Sequence, residues 1–317
     1  MLALGSSRIQ LGLQASQLAL LCEGKPALVY NFGLRGAGPL MQLVTLRRLL
    51  RDDVRPAALL LEVTPAFYNQ MPGRQMEEKF WDGARLDINE MASVRRLCQV
   101  PRMLWGKWLV GRCLPCYRHA AELRAYGQDA ASVSYDGHGW VAPIREVSPE
   151  QRKEKTLIAL SQYDLACSSS AIAPQSMRAL RRLLKLCRDH NIAVHLIIMP
   201  EGSEFRALYH PESLAALDRF LAASCREYQA SLTNAREWLE DEMFWDAHHQ
   251  LPAGADKFTN RLARELESAE RIRLPQLVPT LPQGWLSCLP GPLPLVQPAA
   301  PVHRPRFVAR SGSDSRT

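Results

Sequence analysis

The sequence predicts an α/β protein with a flavodoxin-like, three-layer α/β/α architecture and a mostly parallel central sheet. Three observations carry this. Four short apolar runs end in turn-forming or polar residues, as strands covered on both faces do. Longer segments place apolar residues at helical spacing. The two patterns alternate along the chain, the order that builds a parallel sheet with helices on both faces.

LALG (2–5) is the first strand, and GSSR (5–8) is a turn leading into a helix-compatible segment. ALVYNFG (27–33) and AALLLEV (57–63) are the second and third strands. Residues 66–150 break the rhythm with polar, aromatic and basic segments, and read as a partly helical insertion or cap. A helix over 175–189 is marked by Met177, Leu180, Leu183, Leu184 and Cys187. IAVHLIIM (192–199) is the fourth strand. Leu214, Leu217, Leu221, Cys225 and Tyr228 mark a helix over 212–228, and ASLTN (230–234) is a weaker fifth strand. Ala255, Phe258, Leu262 and Leu266 form a last stripe. All three stripes are expected to pack on the sheet. The α/β domain then spans 1–273. Nine of the 22 prolines fall between Pro275 and Pro305, so residues 274–317 are expected to be disordered or polyproline-like and to carry no chemistry.

At 317 residues and 47% hydrophobic content the chain can bury a full core. Its net charge of +7 fits weak attraction to anionic surfaces. There is no P-loop, zinc-finger spacing or RNA-binding aromatic motif, so no nucleic-acid partner is expected. Cys22, Cys167, Cys187 and Cys225, of eight cysteines, lie in helix-like or apolar contexts where a free thiol acts as a small hydrophobe. Cys113-Leu-Pro-Cys116 lacks the second ligand pair of a zinc site and the strand-to-helix junction of a redox site, and reads as an ordinary pair. In PRMLWGKWLVGRCLPCY, Trp105 and Trp108 stand among Arg102, Lys107 and Arg112. A cap helix over the sheet is the favoured reading, and weak membrane-surface contact through the two tryptophans is the other. No apolar run is long enough to span a bilayer and no signal peptide is readable, which makes the cytoplasm the default location. Met1 falls directly on a strand, so an upstream segment lost from this start would leave a cell-envelope location open.

In open parallel sheets, ligands bind beyond the carboxyl ends of the strands. GSSR, NFGLRG (31–36) and DAHH (246–249) all follow strands. A serine at the first turn would expose its hydroxyl beside backbone N–H groups suited to an oxyanion. Gly33 would let a substrate approach the backbone closely. Asp246 and His249 are three apart, so one helical turn would bring them together, whereas Asp246 and His248 would diverge. The bland reading of the pair is two surface histidines in a polar loop.

Gly5-Ser6-Ser7 resembles the first block of the SGNH (GDSL-like) hydrolases, with Ser6 where aspartate is usual. Asn31-Phe32-Gly33 resembles the second block, and Asp246-Ala247-His248-His249 with Gly254 resembles the DxxH block. Together with LLLEVTP and IIMPEGSEF, the pattern is similar to bacterial DUF1574-type proteins, distant relatives of alginate-acetylation and D-alanylation proteins, over residues 1–65 and 190–268. The resemblance implies Ser7 as nucleophile, His249 as base and Asp246 as its orienting acid. It also implies the N–H groups of Ser7 and Gly33 as oxyanion donors. The family's third-block asparagine is missing: Glu62-Val63-Thr64-Pro65 stands there and the next asparagine is Asn69, so Thr64 is the nearest substitute donor. Glu62 is expected to pair with Arg8 or Arg35. Pro200, Glu201 and Ser203 are expected to line the cleft, Glu201 holding an arginine. The implied activity is ester hydrolysis or O-acyl transfer on an acyl ester or acylated carbohydrate, with no metal or cofactor. The alternative is a non-catalytic module that keeps the cleft to bind a carbohydrate or partner.

Overall fold

β1 (Leu2–Gly5) is buried at all four positions because it pairs in parallel with β2 (Tyr30–Gly33) on one side and β3 (Ala58–Glu62) on the other. The computed structural model describes residues 1–21, 28–72, 75–80, 83–98, 101–118, 135–142 and 147–268. Within them the chain runs β1, α1 (Ser7–Gly12), α2 (Ala15–Leu21), β2, α3 (Pro39–Arg51), β3, α4 (Ile88–Val94), α5 (Pro101–Cys113), α6 (Pro115–Arg118), α7 (Pro149–Cys167), α8 (Pro174–Asp189), β4 (Ala193–Ile198), α9 (Ser203–Ala207), α10 (Pro211–Tyr228), β5 (Ser231–Asn234) and α11 (Pro252–Ser268). The proline-rich tail and Cys22 lie outside the described residues.

The five strands form one all-parallel sheet in the order β2-β1-β3-β4-β5. Because side chains alternate along a strand, each strand feeds two cores. Leu2, Leu4, Leu59, Leu61, Leu196 and Ile198 face a layer holding Leu43, Leu46, Leu180, Leu183, Leu217 and Leu221 of α3, α8 and α10. Ala3, Leu60 and Ile197 face the other, with Ile9, Leu18, Phe258 and Leu262 of α1, α2 and α11. This is the three-layer α/β/α fold, and burying each of these leucines contributes about 1.5–3 kcal/mol. β5 is the outermost strand and only partly buried, which is why its apolar signal is weak.

The insertion is partly helical, with α4, α5, α6 and three short 3-10 turns. It docks through specific contacts. Glu77 accepts hydrogen bonds from the Leu40 and Met41 amides at 3.2 and 2.5 Å, capping the first turn of α3. The segment around His138 covers the free edge of β2, with Asn31 N–H donating to the His138 carbonyl at 2.8 Å. Trp105 and Trp108 pack against the main core, and the Trp108 indole donates to the Leu86 carbonyl at 2.9 Å. Both tryptophans are partly buried. α7 has no counterpart in the sequence reading. Ser148 and Gln151 form a capping box at its start, but its buried face of Thr156, Ala159, Tyr163, Ala166 and Cys167 is too small and polar for a clear apolar stripe. Cys113 and Cys116 are exposed free thiols, while Cys167 and Cys187 are buried. Among the described residues no helix is long and apolar enough to cross a membrane.

Candidate active site

The turn after β1 is held by a carboxylate from the adjacent strand. Ser6 caps α1, its hydroxyl accepting from the Arg8 amide at 3.2 Å. Glu62, the buried last residue of β3, accepts from the Ser6 amide at 2.5 Å, the Ser6 hydroxyl at 3.1 Å and the Thr64 hydroxyl at 2.8 Å. Ser7 is then the first residue of α1, at the carboxyl edge of the sheet.

Ser7 Oγ lies 2.8 Å from His249 Nε2, and His249 Nδ1 lies 2.7 Å from Asp246 Oδ2. The tautomer protonated at Nδ1 donates to Asp246 and leaves Nε2 to accept from Ser7. The expected helical turn is absent. Residues 244–250 form a non-helical loop, closed by a bridge between Phe244 and Gln250 and by Trp245 N–H donating to the His249 carbonyl at 3.1 Å. The i, i+3 pair still converges because Asp246 Oδ1 accepts from the amides of His248 and His249 at 2.8 and 2.7 Å. The aspartate thus bends the chain onto itself, a role its short side chain performs in turns. α11 starts just beyond, and a Cβ at Gly254 would lie 2.6 Å from the Met243 carbonyl oxygen, so glycine lets the helix sit down on the loop.

Burial pushes the Asp246 carboxyl up, but the histidines and amide hydrogen bonds more than reverse this and hold it well below the ordinary carboxylate range. His248 is the inner histidine. Its ring packs on Phe205 at 4.8 Å, Tyr163 at 5.1 Å and the His249 ring at 4.1 Å. Burial, with the positive fields of His249 and Arg8, lowers its pKa to about 3, so it is neutral at ordinary pH. On the outer side Trp245 stacks on His249.

Beneath the turn lies a buried charge network. Arg8 donates to Glu201 at 3.1 Å and to the Met199 and Pro200 carbonyls at 2.9 and 3.0 Å, with its Nε 3.8 Å from Glu62. Glu201 also accepts from Arg236 at 2.7 Å and Tyr209 at 2.9 Å. Arg8, adjacent to Ser7, therefore ties the serine turn to the ends of β3 and β4. Truncating one partner of such a buried pair typically costs about 3–5 kcal/mol.

Other expected residues are placed differently. The Gly33 amide donates to Asn31 Oδ1 at 3.0 Å, and the body that approaches Gly33 closely is α1 rather than an open space for substrate. The Thr64 hydroxyl is directed to Glu62. Arg35 is exposed, and the arginine beside Glu62 is Arg8. Asn69 is buried, its amide 3.5 Å from the Cys167 carbonyl. Sequence reasoning gave Asn31 no role of its own, yet its side-chain amide donates to the Ile9 and Leu13 carbonyls at 2.7 and 2.8 Å and fixes α1 against β2. Its signal was present: a polar residue inside an apolar strand. Tyr209 and Arg236 carried no comparable mark.

No protein-family model matches the sequence, and no curated protein matches it. Among solved structures, the chain is similar to a candidate acylhydrolase from Bacteroides fragilis, at 10% identity and a TM-score of 0.39, over 84% of this chain and 86% of that one. Likeness of that degree bears on neither activity nor residues. Asp246, His248 and His249 also bring three potential metal-ligand atoms within 4.8 Å of one another. In the arrangement seen, Asp246 Oδ2 and His249 Nδ1 are joined to each other by a hydrogen bond.

Proposed function

We propose that the protein is a serine-dependent ester hydrolase or O-acyltransferase of the SGNH type, with Ser7, His249 and Asp246 as its triad. The observation that supports this most is the continuous run of hydrogen bonds from Ser7 Oγ through both nitrogens of His249 to Asp246. Ser7 Oγ attacks the acyl carbonyl carbon while its proton passes to His249 Nε2. The tetrahedral adduct collapses, the bond to the leaving oxygen breaks, and His249 returns the proton to that oxygen. Water or a sugar hydroxyl then attacks the acyl carbon and gives its proton to His249; the bond to Ser7 Oγ breaks, and His249 returns that proton to Ser7. Asp246 orients the imidazole and stabilises its charged form.

The Ser7 amide is the oxyanion donor this reading retains. The second expected donor, Gly33 N–H, and the substitute, the Thr64 hydroxyl, already serve Asn31 and Glu62. Loss of one such donor typically lowers the rate on the order of 100- to 1000-fold, so turnover is expected to be slow. The same two contacts favour a second reading, a cleft kept for binding an acylated carbohydrate or partner without turnover. Hydrolysis of short-chain p-nitrophenyl esters tests the first reading. Turnover abolished by Ser7→Ala is expected, and turnover that survives it would remove the assignment.

A further inference from the structure

α5 is apolar on both sides. Its inner side is filled by Leu104, Trp105 and Trp108, which pack against the core. Yet Leu109 is 57% exposed, Met103 43% and Val110 38%, and the chain continues outward with Leu114 at 53% and Tyr117 at 43%. Large apolar side chains grouped on an outer helix face are commonly a contact surface. Arg102 and Arg112 are exposed beside these residues and Lys107 is half-buried, while no acidic residue occurs from Pro101 to Tyr117. Arg112 is braced over the Trp108 ring at 5.3 Å, which holds its charge at the border of the apolar face.

We propose that the outer face of α5, continued by Leu114 and Tyr117, docks on an anionic phospholipid surface. Leu109, Val110 and Met103 would enter the boundary between headgroups and acyl chains. Arg102, Lys107 and Arg112 would meet the phosphates, as in helices lying in the plane of a membrane surface. The charge pattern selects this occupant over a second copy, since residues 101–117 of two such faces would oppose basic groups and offer no carboxylate of their own. Trp105 and Trp108 are partly buried against the core, so the contact is assigned to their more exposed neighbours. The inference is independent of the chemistry at Ser7.

Flotation of the whole protein with vesicles tests it. Vesicles of phosphatidylcholine with phosphatidylglycerol should carry the protein, and phosphatidylcholine alone should carry much less. Leu109→Ser with Val110→Ser should reduce the bound fraction at least tenfold. Arg102→Gln with Arg112→Gln should weaken binding about 25-fold, about fivefold for each charge near the surface. All four side chains are exposed, so an unchanged melting temperature should accompany both variants. Equal binding to both vesicle types, or binding unaltered in the Leu109/Val110 variant, would overturn the proposal. So would a solution dimer that this variant dissociates.

Discussion

Adding one methyl group at Gly33 should damage both stability and activity. Gly33 ends β2, and a Cβ built there would lie 2.4 Å from the Gln10 nitrogen and 2.7 Å from its Cα. Carbon contacts settle near 3.5 Å, so α1 and the end of β2 must separate by about 1 Å. Both clashing atoms belong to backbone, so no rotamer change relieves them. Separation also stretches the bonds from Asn31 to the Ile9 and Leu13 carbonyls. Overpacking of this kind costs about 1–3 kcal/mol. Gln10 lies three residues from Ser7 on the same short helix, and a 1 Å displacement of a reacting group lowers rates on the order of 100-fold. Urea unfolding of Gly33→Ala should show a lower midpoint, and ester turnover should fall by about that factor. Unchanged midpoint and rate would refute the packing argument. A variant as stable as the parent yet inactive would mean that Gly33 faces substrate rather than α1.

Burial pushes the Glu77 carboxyl up to about 8, against the pull of the amides it caps. The folded protein thus holds this proton more tightly than the unfolded chain. The stabilisation is full below pH 4.5 or so and is lost as pH rises toward 8, on the order of 4–5 kcal/mol over that window at most. Glu77→Gln, which cannot ionise, should flatten the fall in melting temperature between pH 5 and 8, and parallel curves for the two proteins would contradict this. His248→Phe keeps a ring between Phe205 and His249 and keeps the backbone amide bound to Asp246. It should lower ester turnover less than about tenfold, whereas His249→Ala should lower it by on the order of 10,000-fold or more. Equal damage from the two would exchange or dissolve the assigned roles.

The sheet was legible because strands buried on both faces leave continuous apolar runs. LALG, AALLLEV and IAVHLIIM each cover an observed strand, and ALVYNFG covers β2 at its end. α7 was illegible because its inner face carries alanine, threonine and cysteine instead of leucine. At the site, the i, i+3 spacing of Asp246 and His249 pointed to a contact that exists, for a reason that does not: the aspartate collects two amides in a loop, and no helix is involved. Arg8 and Glu201 stood 193 residues apart, and spacing along the chain could not pair them. The positions of Gly33 and Thr64 suggested oxyanion donors, but a strand-end position does not reveal which acceptor a nearby donor already serves.

The central claim is that His249, held by Asp246, activates Ser7. A fluorophosphonate probe reads this directly, since it forms a covalent bond with a serine oxygen only where a neighbouring base removes the proton. Labelling should be stoichiometric, with the modified peptide mapping to Ser7. Labelling should be lost in Ser7→Ala and His249→Ala and retained in His248→Phe. No labelling of a correctly folded protein, or labelling at another serine, would contradict it.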